Sequence, residues 1–127
     1  MRQAITSDSA ATVGPYSHAV ESGGAVYCSG QTPVDPATGR LVVGGIGEQT
    51  RQCFANLFGV LDAAGLGPDD VVKVNVYLTH MHDFEAMNAA YAEVFADPLP
   101  ARTTVGVSEL PLGAKVEIEL IASRTGA

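Results

Sequence analysis

Tryptophan is absent from this chain and aromatic residues are few, at 6%, so the core has to be assembled from Val, Leu, Ile and Ala, with Phe54, Phe58, Phe84 and Phe95 as its large pieces. Basic residues are scarce as well. Seven Lys and Arg against fourteen Asp and Glu give a net charge of -7, which repels phosphate backbones, and no basic cluster offsets the repulsion; nucleic acid is a poor partner. No apolar run approaches the roughly 20 residues that span a bilayer, and Met1 to Thr6 holds no apolar signal core, so we expect a cytoplasmic protein with no membrane partner. Only Cys28 and Cys53 carry thiols; without an export signal both are expected to be reduced, and Cys28, which has no visible base partner, to be buried and inert. The chain lacks a phosphate loop, a dinucleotide fingerprint and a Gly-x-Ser-x-Gly elbow, so no cofactor is expected.

What is present suffices for one domain over 1–127, with 46% apolar residues and enough length to bury a working core. Tyr16 to Val20 and Ala25 to Ser29 read as strands joined at Ser22-Gly23-Gly24, and Asp35-Pro36-Ala37-Thr38-Gly39 is turn chemistry, with Arg40-Leu41-Val42 as a short extension able to pair. From Ile46 to Ala64 apolar residues recur at steps of three and four, the pattern of one helix face, and Gly65 stops the helix. Val71 to Thr79 alternates as a half-buried strand. Asp83 is a candidate N-cap for a second helix with Phe84, Met87, Ala90, Tyr91 and Val94 inward, ended by Asp97-Pro98-Leu99-Pro100.

Two β-branched runs close the chain, Pro100 to Ser108 and Lys115 to Ile121, around a loop with Pro111 and Gly113. Alternation puts Arg102, Thr104, Gly106 and Ser108 on one face of the first run, and sets Glu117, Glu119 and Ile121 opposite Val116, Ile118 and Leu120 on the second. We expect Arg102, Thr104 and Glu117 to share the face of the sheet that the helices leave bare. The order β-β-α-β-α-β-β makes the strands at 71–79 and 101–108 parallel neighbours, with both helices on one side. Such a two-layer α+β domain with a bare face is a natural oligomer.

Pro100-Ala101-Arg102-Thr103-Thr104-Val105 followed by Val116-Glu117-Ile118-Glu119-Leu120-Ile121-Ala122 resembles the end of the RidA/YjgF family of enamine and imine deaminases, also known as the endoribonuclease L-PSP family. Gly14-Pro15-Tyr16-Ser17-His18-Ala19, Ser29-Gly30-Gln31-Thr32-Pro33-Val34-Asp35, Gln49-Thr50, Asn56, Ala63-Ala64-Gly65, Asp70-Val71-Val72-Lys73 and Asp83-Phe84 with Asn88 and Tyr91 are similar to the same family, in its order and near its spacing. The resemblance implies a chorismate-mutase-like mixed sheet with two helices on one face, assembled as a homotrimer with clefts between subunits.

It also implies roles. Arg102 falls where the family holds its carboxylate-binding arginine; read alone, a strand arginine is mostly a surface charge, although its fork suits a carboxylate. Glu117 matches the water-orienting glutamate, where a solvated strand carboxylate is the ordinary alternative, and Glu119 reads as a structural or surface charge. Tyr16, Ser29, Gly30, Asn88 and Thr104 fall on substrate-binding positions. On their own they could be a core ring, a strand-end hydroxyl, a turn glycine, a helix-face amide and a strand hydroxyl. Thr104 stands where many relatives have Cys, and His18 where many have Gln. His80-Met81-His82-Asp83 has metal-ligand chemistry, but adjacent loop residues do not converge easily on one ion, and no metal is expected.

The resemblance thus implies a cofactor-free hydrolase that converts short 2-imino acids to 2-oxo acids and ammonia. Arg102 would hold the substrate carboxylate and Glu117 a water. The rivals are a non-catalytic trimer that binds small carboxylates in the same pocket, and an endoribonuclease, which the acidic charge balance disfavours.

Overall fold

The computed structural model describes residues 1–8, 10–11 and 13–124. Among these the chain runs β1 (Gln3–Ile5), β2 (Ala19–Ser22), β3 (Ala25–Gln31), β4 (Val34–Asp35), β5 (Arg40–Leu41), α1 (Ile46–Ala63), β6 (Val71–Leu78), α2 (Phe84–Ala92), β7 (Ala101–Gly106) and β8 (Val116–Ser123). Six strands form one mixed sheet in the order β1-β2-β3-β8-β6-β7, and β4 pairs with β5 as a separate hairpin. The last strand therefore lies in the middle, antiparallel to β3 and β6. β6 and β7 are parallel, as a strand-helix-strand crossover through α2 requires. The two-layer mixed α+β arrangement agrees with the sequence reading.

Local chemistry explains the element ends. Gly23 and Gly24, at φ 60° and 80°, make the β2-β3 turn with the left-handed backbone that two-residue hairpins favour. The Glu48 carboxylate accepts the Gly45 N–H at 3.1 Å and so satisfies a free donor at the start of α1. At its other end Gly65 takes φ 77° while the Leu66 N–H bonds to Leu61 O, which stops the helix. Asp83 precedes α2, but its side chain caps nothing and lies beside His82. A strand at Gln3–Ile5 was not legible in its polar sequence; it forms by pairing with β2. β2 itself starts at Ala19 because Gly14 to Tyr16 bend.

Both helices cover one face of the sheet. Phe54, Leu57, Val60 and Leu61 from α1 and Met87 from α2 are buried against Val26, Val74, Val76, Leu78, Val116, Ile118 and Leu120. Phe54 is the centre of an aromatic group with Phe58, Tyr91 and Phe95, at 5.5 Å between centroids in each case. Phe84, expected in the core, is 36% exposed at the margin of the helix layer.

The expected sharing of a face by Arg102, Thr104 and Glu117 is wrong. The β6-β7 register pairs Val74 with Arg102 and Val76 with Thr104, and Val74 and Val76 point into the helix-covered core. Arg102 and Thr104 thus look toward α2, whereas Glu117 pairs with Tyr77 on the bare face. A polar run was read as solvent-facing by default. On an edge strand the helix layer ends, and a polar side chain can point toward the helices without entering the core. Ser108 lies beyond β7.

Candidate active site

The candidate residues fall into two groups on opposite faces of the sheet. The first is built around a bulge in β3. Cys28 pairs with Leu120 and Gln31 with Ile118, so Ser29 and Gly30 together oppose the single residue Glu119. Such a bulge bends the strand and re-aims its side chains. Ser29 Oγ donates to Ser17 O at 2.7 Å, which ties the bulge to the loop that carries Tyr16. A Cβ on Gly30 would collide with the Glu117 carboxylate, so the missing side chain is the space that the carboxylate occupies. Glu117, Ser29, Gly30, Tyr16 and Thr32, with Val13, Pro111 and Leu112, line a cavity of about 490 Å³. The lining residue Thr32 is held by Asn56 on α1, which donates to Val34 O at 2.9 Å and Thr32 O at 3.4 Å while accepting from Gln52 at 2.8 Å.

Electrostatics set this carboxyl apart. Burial pushes the Glu117 pKa up, and the charge of Glu119 pushes in the same direction. Glu119 is held in place by the Tyr77 hydroxyl, which donates to it at 2.6 Å; that bond, first among the causes, raises the Tyr77 pKa to about 12. A carboxyl whose pKa moves up toward neutrality has a more basic carboxylate, better able to take a proton and later return it. The buried thiols differ: burial raises Cys28 to about 12 and Cys53 well above its usual value, so neither is a ready nucleophile.

The second group sits where α2 meets edge strand β7. Arg102 Cζ lies 4.7 Å from the centroid of the Tyr91 ring and 5.7 Å from that of Phe84, within cation-π range. Arg102 makes no ion pair among the described residues. Thr104 Oγ1, Asn88 Oδ1 and the Tyr91 hydroxyl are buried and have no hydrogen-bond partner there. Buried polar atoms are normally paired, and this group shares its corner with a cation whose fork suits a carboxylate.

Every sequence-nominated residue therefore joins one of the two groups: Tyr16, Ser29, Gly30 and Glu117 on one face, Asn88, Arg102 and Thr104 on the other. A single small molecule cannot touch both within one chain. Sequence reasoning missed the Tyr91 and Phe84 platform, the Tyr77 and Glu119 pair, and the apolar rim of Val13 and Leu112. The platform had a signal, since Phe84, Asn88 and Tyr91 at i, i+4 and i+7 share one helix face. His18 is buried and accepts the Ser7 N–H through Nδ1 at 3.1 Å, which anchors the N-terminal segment. No three His, Cys, Asp or Glu among the described residues are grouped to hold a metal ion, and no helix among them is long and apolar enough to cross a membrane.

A mixed α+β sheet with a carboxyl pocket on one face and an arginine corner on the other defines the class of protein. Residues 6–124 match the family model described as Endoribonuclease L-PSP, and the chain belongs to this family, which includes the RidA, YjgF and RutC proteins. It is 47% identical over 109 residues to a 2-iminobutanoate/2-iminopropanoate deaminase of Dermatophagoides farinae, covering 86% of this chain and 85% of the relative. It is 48% identical to the mitochondrial protein mmf1 of Schizosaccharomyces pombe, over 93% of this chain and 74% of the relative. The crystal structure of RidA from a Psychrobacter species superposes with a TM-score of 0.92 at 45% identity, over 96% of this chain and 99% of that one.

Proposed function

We propose that the protein hydrolyses 2-imino acids to 2-oxo acids and ammonia, without a cofactor, in a homotrimer whose sites lie between subunits. The carrying observation is the separation of Arg102 and Glu117 onto opposite faces of the sheet, each in a group that is chemically half of an imine-hydrolysing site. A cyclic assembly that lays the bare face of one copy against the β7 and α2 corner of the next unites the halves, and closure leaves no open interface. The likeness to the 2-iminobutanoate/2-iminopropanoate deaminase of Dermatophagoides farinae supports the choice of reaction.

The chemistry follows from the groups present. Arg102 binds the substrate carboxylate two-pronged, the Thr104 hydroxyl donates to it, and Asn88 Oδ1 accepts from the substrate nitrogen. On the iminium form of the substrate, Glu117 takes a proton from a water as the oxygen bonds to the carbon and the C=N π pair moves to nitrogen, giving a neutral carbinolamine. It then gives that proton to the nitrogen and takes the hydroxyl proton as the carbonyl forms, the C–N bond breaks and ammonia leaves, and the carboxyl returns its proton to solvent. Imines already hydrolyse in water, so placement and modest proton transfer suffice. A reducing compartment suits the free buried thiols, and we place the protein in the cytoplasm. RNA cleavage, the activity in the family description, fits poorly with a net charge of -7.

The test is ammonia release from imines generated by an amino-acid oxidase, with Arg102→Ala and Glu117→Gln chains assayed apart and mixed. Each variant alone should be nearly inactive. A refolded equal mixture should regain activity in about one quarter of its sites, the fraction that chance assembly gives when the residues come from neighbouring copies. No recovery in mixed trimers would rule out the shared site, and no ammonia from the parent chain would rule out the reaction.

A further inference from the structure

The rim of the Glu117 cavity holds a conformational oddity. Leu112 has φ 63° and ψ 13°, the one non-glycine residue at positive φ among the described residues. Left-handed backbone is disfavoured for any L side chain and is a genuine outlier for a bulky one. Gly113 beside it is also left-handed, at φ 73°, but there the lack of a Cβ removes the penalty. The turn is closed by the Ala114 N–H donating to Pro111 O at 3.2 Å. Packing within the chain does not compensate, because Leu112 is 59% exposed. Backbone strain that the local fold does not need is found at binding and catalytic sites.

Leu112 lines the same cavity as Glu117, and two more large apolar side chains on that rim are exposed, Val13 at 56% and Tyr16 at 41%. A volume of about 490 Å³ falls within the range of sites that take far larger ligands than a three-carbon imino acid. Pro111 and Thr32 complete a wall that offers an incoming molecule mostly carbon.

We propose that Leu112 is a specificity-determining residue, held in the left-handed conformation so that its side chain walls the cavity and selects 2-imino acids with extended apolar side chains. The inference rests on the imine-hydrolase reading, and it adds what that reading leaves open, the substrate side chain. A leucine-derived or phenylalanine-derived imine would lay its side chain against Leu112 and Val13, while the alanine-derived imine would leave the wall untouched.

The experiment measures kcat/KM for imines generated from alanine, norvaline, leucine and phenylalanine, and binding of the matching 2-oxo acids by calorimetry. In the parent protein both should rise along the series. Leu112→Ser should lower the ratio of leucine-derived to alanine-derived kcat/KM about tenfold, the scale on which apolar pockets discriminate. Leu112→Gly should lose the preference equally while its melting temperature holds or rises, since glycine relieves the strained backbone. Unchanged ratios in both variants would overturn the proposal. So would an equal loss on every substrate together with a change of mass in light scattering, which would make Leu112 an assembly contact. If no imine is hydrolysed, the 2-oxo acid affinities decide: a series flattened by Leu112→Ser supports the selector, and an unaltered one sinks it.

Discussion

The pocket around Glu117 and the corner around Arg102 are built on different terms. Glu117 projects from β8, a central strand paired on both sides, into a cavity lined by the bulge residues Ser29 and Gly30 and by Thr32, whose backbone Asn56 holds. Arg102 projects from β7, paired only with β6, and is positioned by two aromatic faces on α2. Glu117, the proposed proton-handling group, is thus fixed by backbone pairing, and Arg102, the proposed carboxylate anchor, by side-chain stacking on an edge. Catalytic geometry tolerates little displacement, whereas charge capture by a guanidinium is more forgiving, and the division of support follows that need.

Substitutions can break this contrast. Arg102→Ala should have the largest effect, because truncating one partner of a desolvated charge pair costs on the order of 2–5 kcal/mol, roughly 30- to 4,000-fold in kcat/KM. Arg102→Lys should recover little, since an ammonium lacks the planar fork. Steady-state kinetics that stay near normal in the alanine variant would remove Arg102 from the site.

Glu117→Gln should lower kcat by about 10²-fold, the lower end for general acid-base help, while 2-oxo acid binding survives. Its stability has a sign that can be checked. The native carboxyl holds its proton more readily than the unfolded one, so the protonated form's contribution is complete below the ordinary carboxyl value and is lost as pH rises through the folded value. In an Arg102→Ala background, which removes any neighbouring guanidinium, Glu117→Gln should therefore raise the melting temperature at pH 7 and leave it nearly unchanged near pH 4. A fall at pH 7 would mean that the charged carboxylate is satisfied within its own chain.

Gly30→Ala sharpens the backbone side of the contrast. The atoms nearest the added methyl all belong to the Glu117 side chain, so folding should be nearly intact while kcat drops about tenfold or more through displacement of the carboxylate. Equal losses of stability and rate would instead mark Gly30 as a turn residue. The smallest effect is expected from Tyr91. Tyr91→Leu should raise KM several-fold, the scale of a lost cation-π contact, and Tyr91→Phe should restore it. A Phe variant as impaired as the Leu variant would shift the role from the ring to the hydroxyl.

The fold was legible where one physical signal dominated. The period of α1, the glycines at its end and at the β2-β3 turn, and the alternation in β6 each admitted one reading. The parallel β6-β7 pair followed from the strand-helix-strand order. The face of Arg102 and Thr104 was not legible, because alternation separates two faces without saying which one meets the helices, and a polar edge strand reverses the usual inference. The strained rim at Leu112 had no signal at all: Leu112 with φ 63° follows Pro111 and precedes Gly113, and nothing in that order places leucine rather than glycine alone in the left-handed region. The Tyr77 and Glu119 bond joins residues 42 apart and depends on a register that only the folded sheet defines.

The Asn56 clamp has a consequence for tolerance to insertion. By gripping the carbonyls of Thr32 and Val34, one amide secures the root of the β4-β5 hairpin, while the tip from Pro36 to Gly39 is exposed and turned by Asp35, whose backbone carbonyl accepts the Gly39 N–H at 2.8 Å. Changes at the tip are mechanically isolated from the pocket wall. An epitope or fluorophore peptide spliced between Ala37 and Thr38 would ride on the surface of each chain without disturbing the Thr32 wall of the cavity, which makes this hairpin a place to attach cargo to the folded protein.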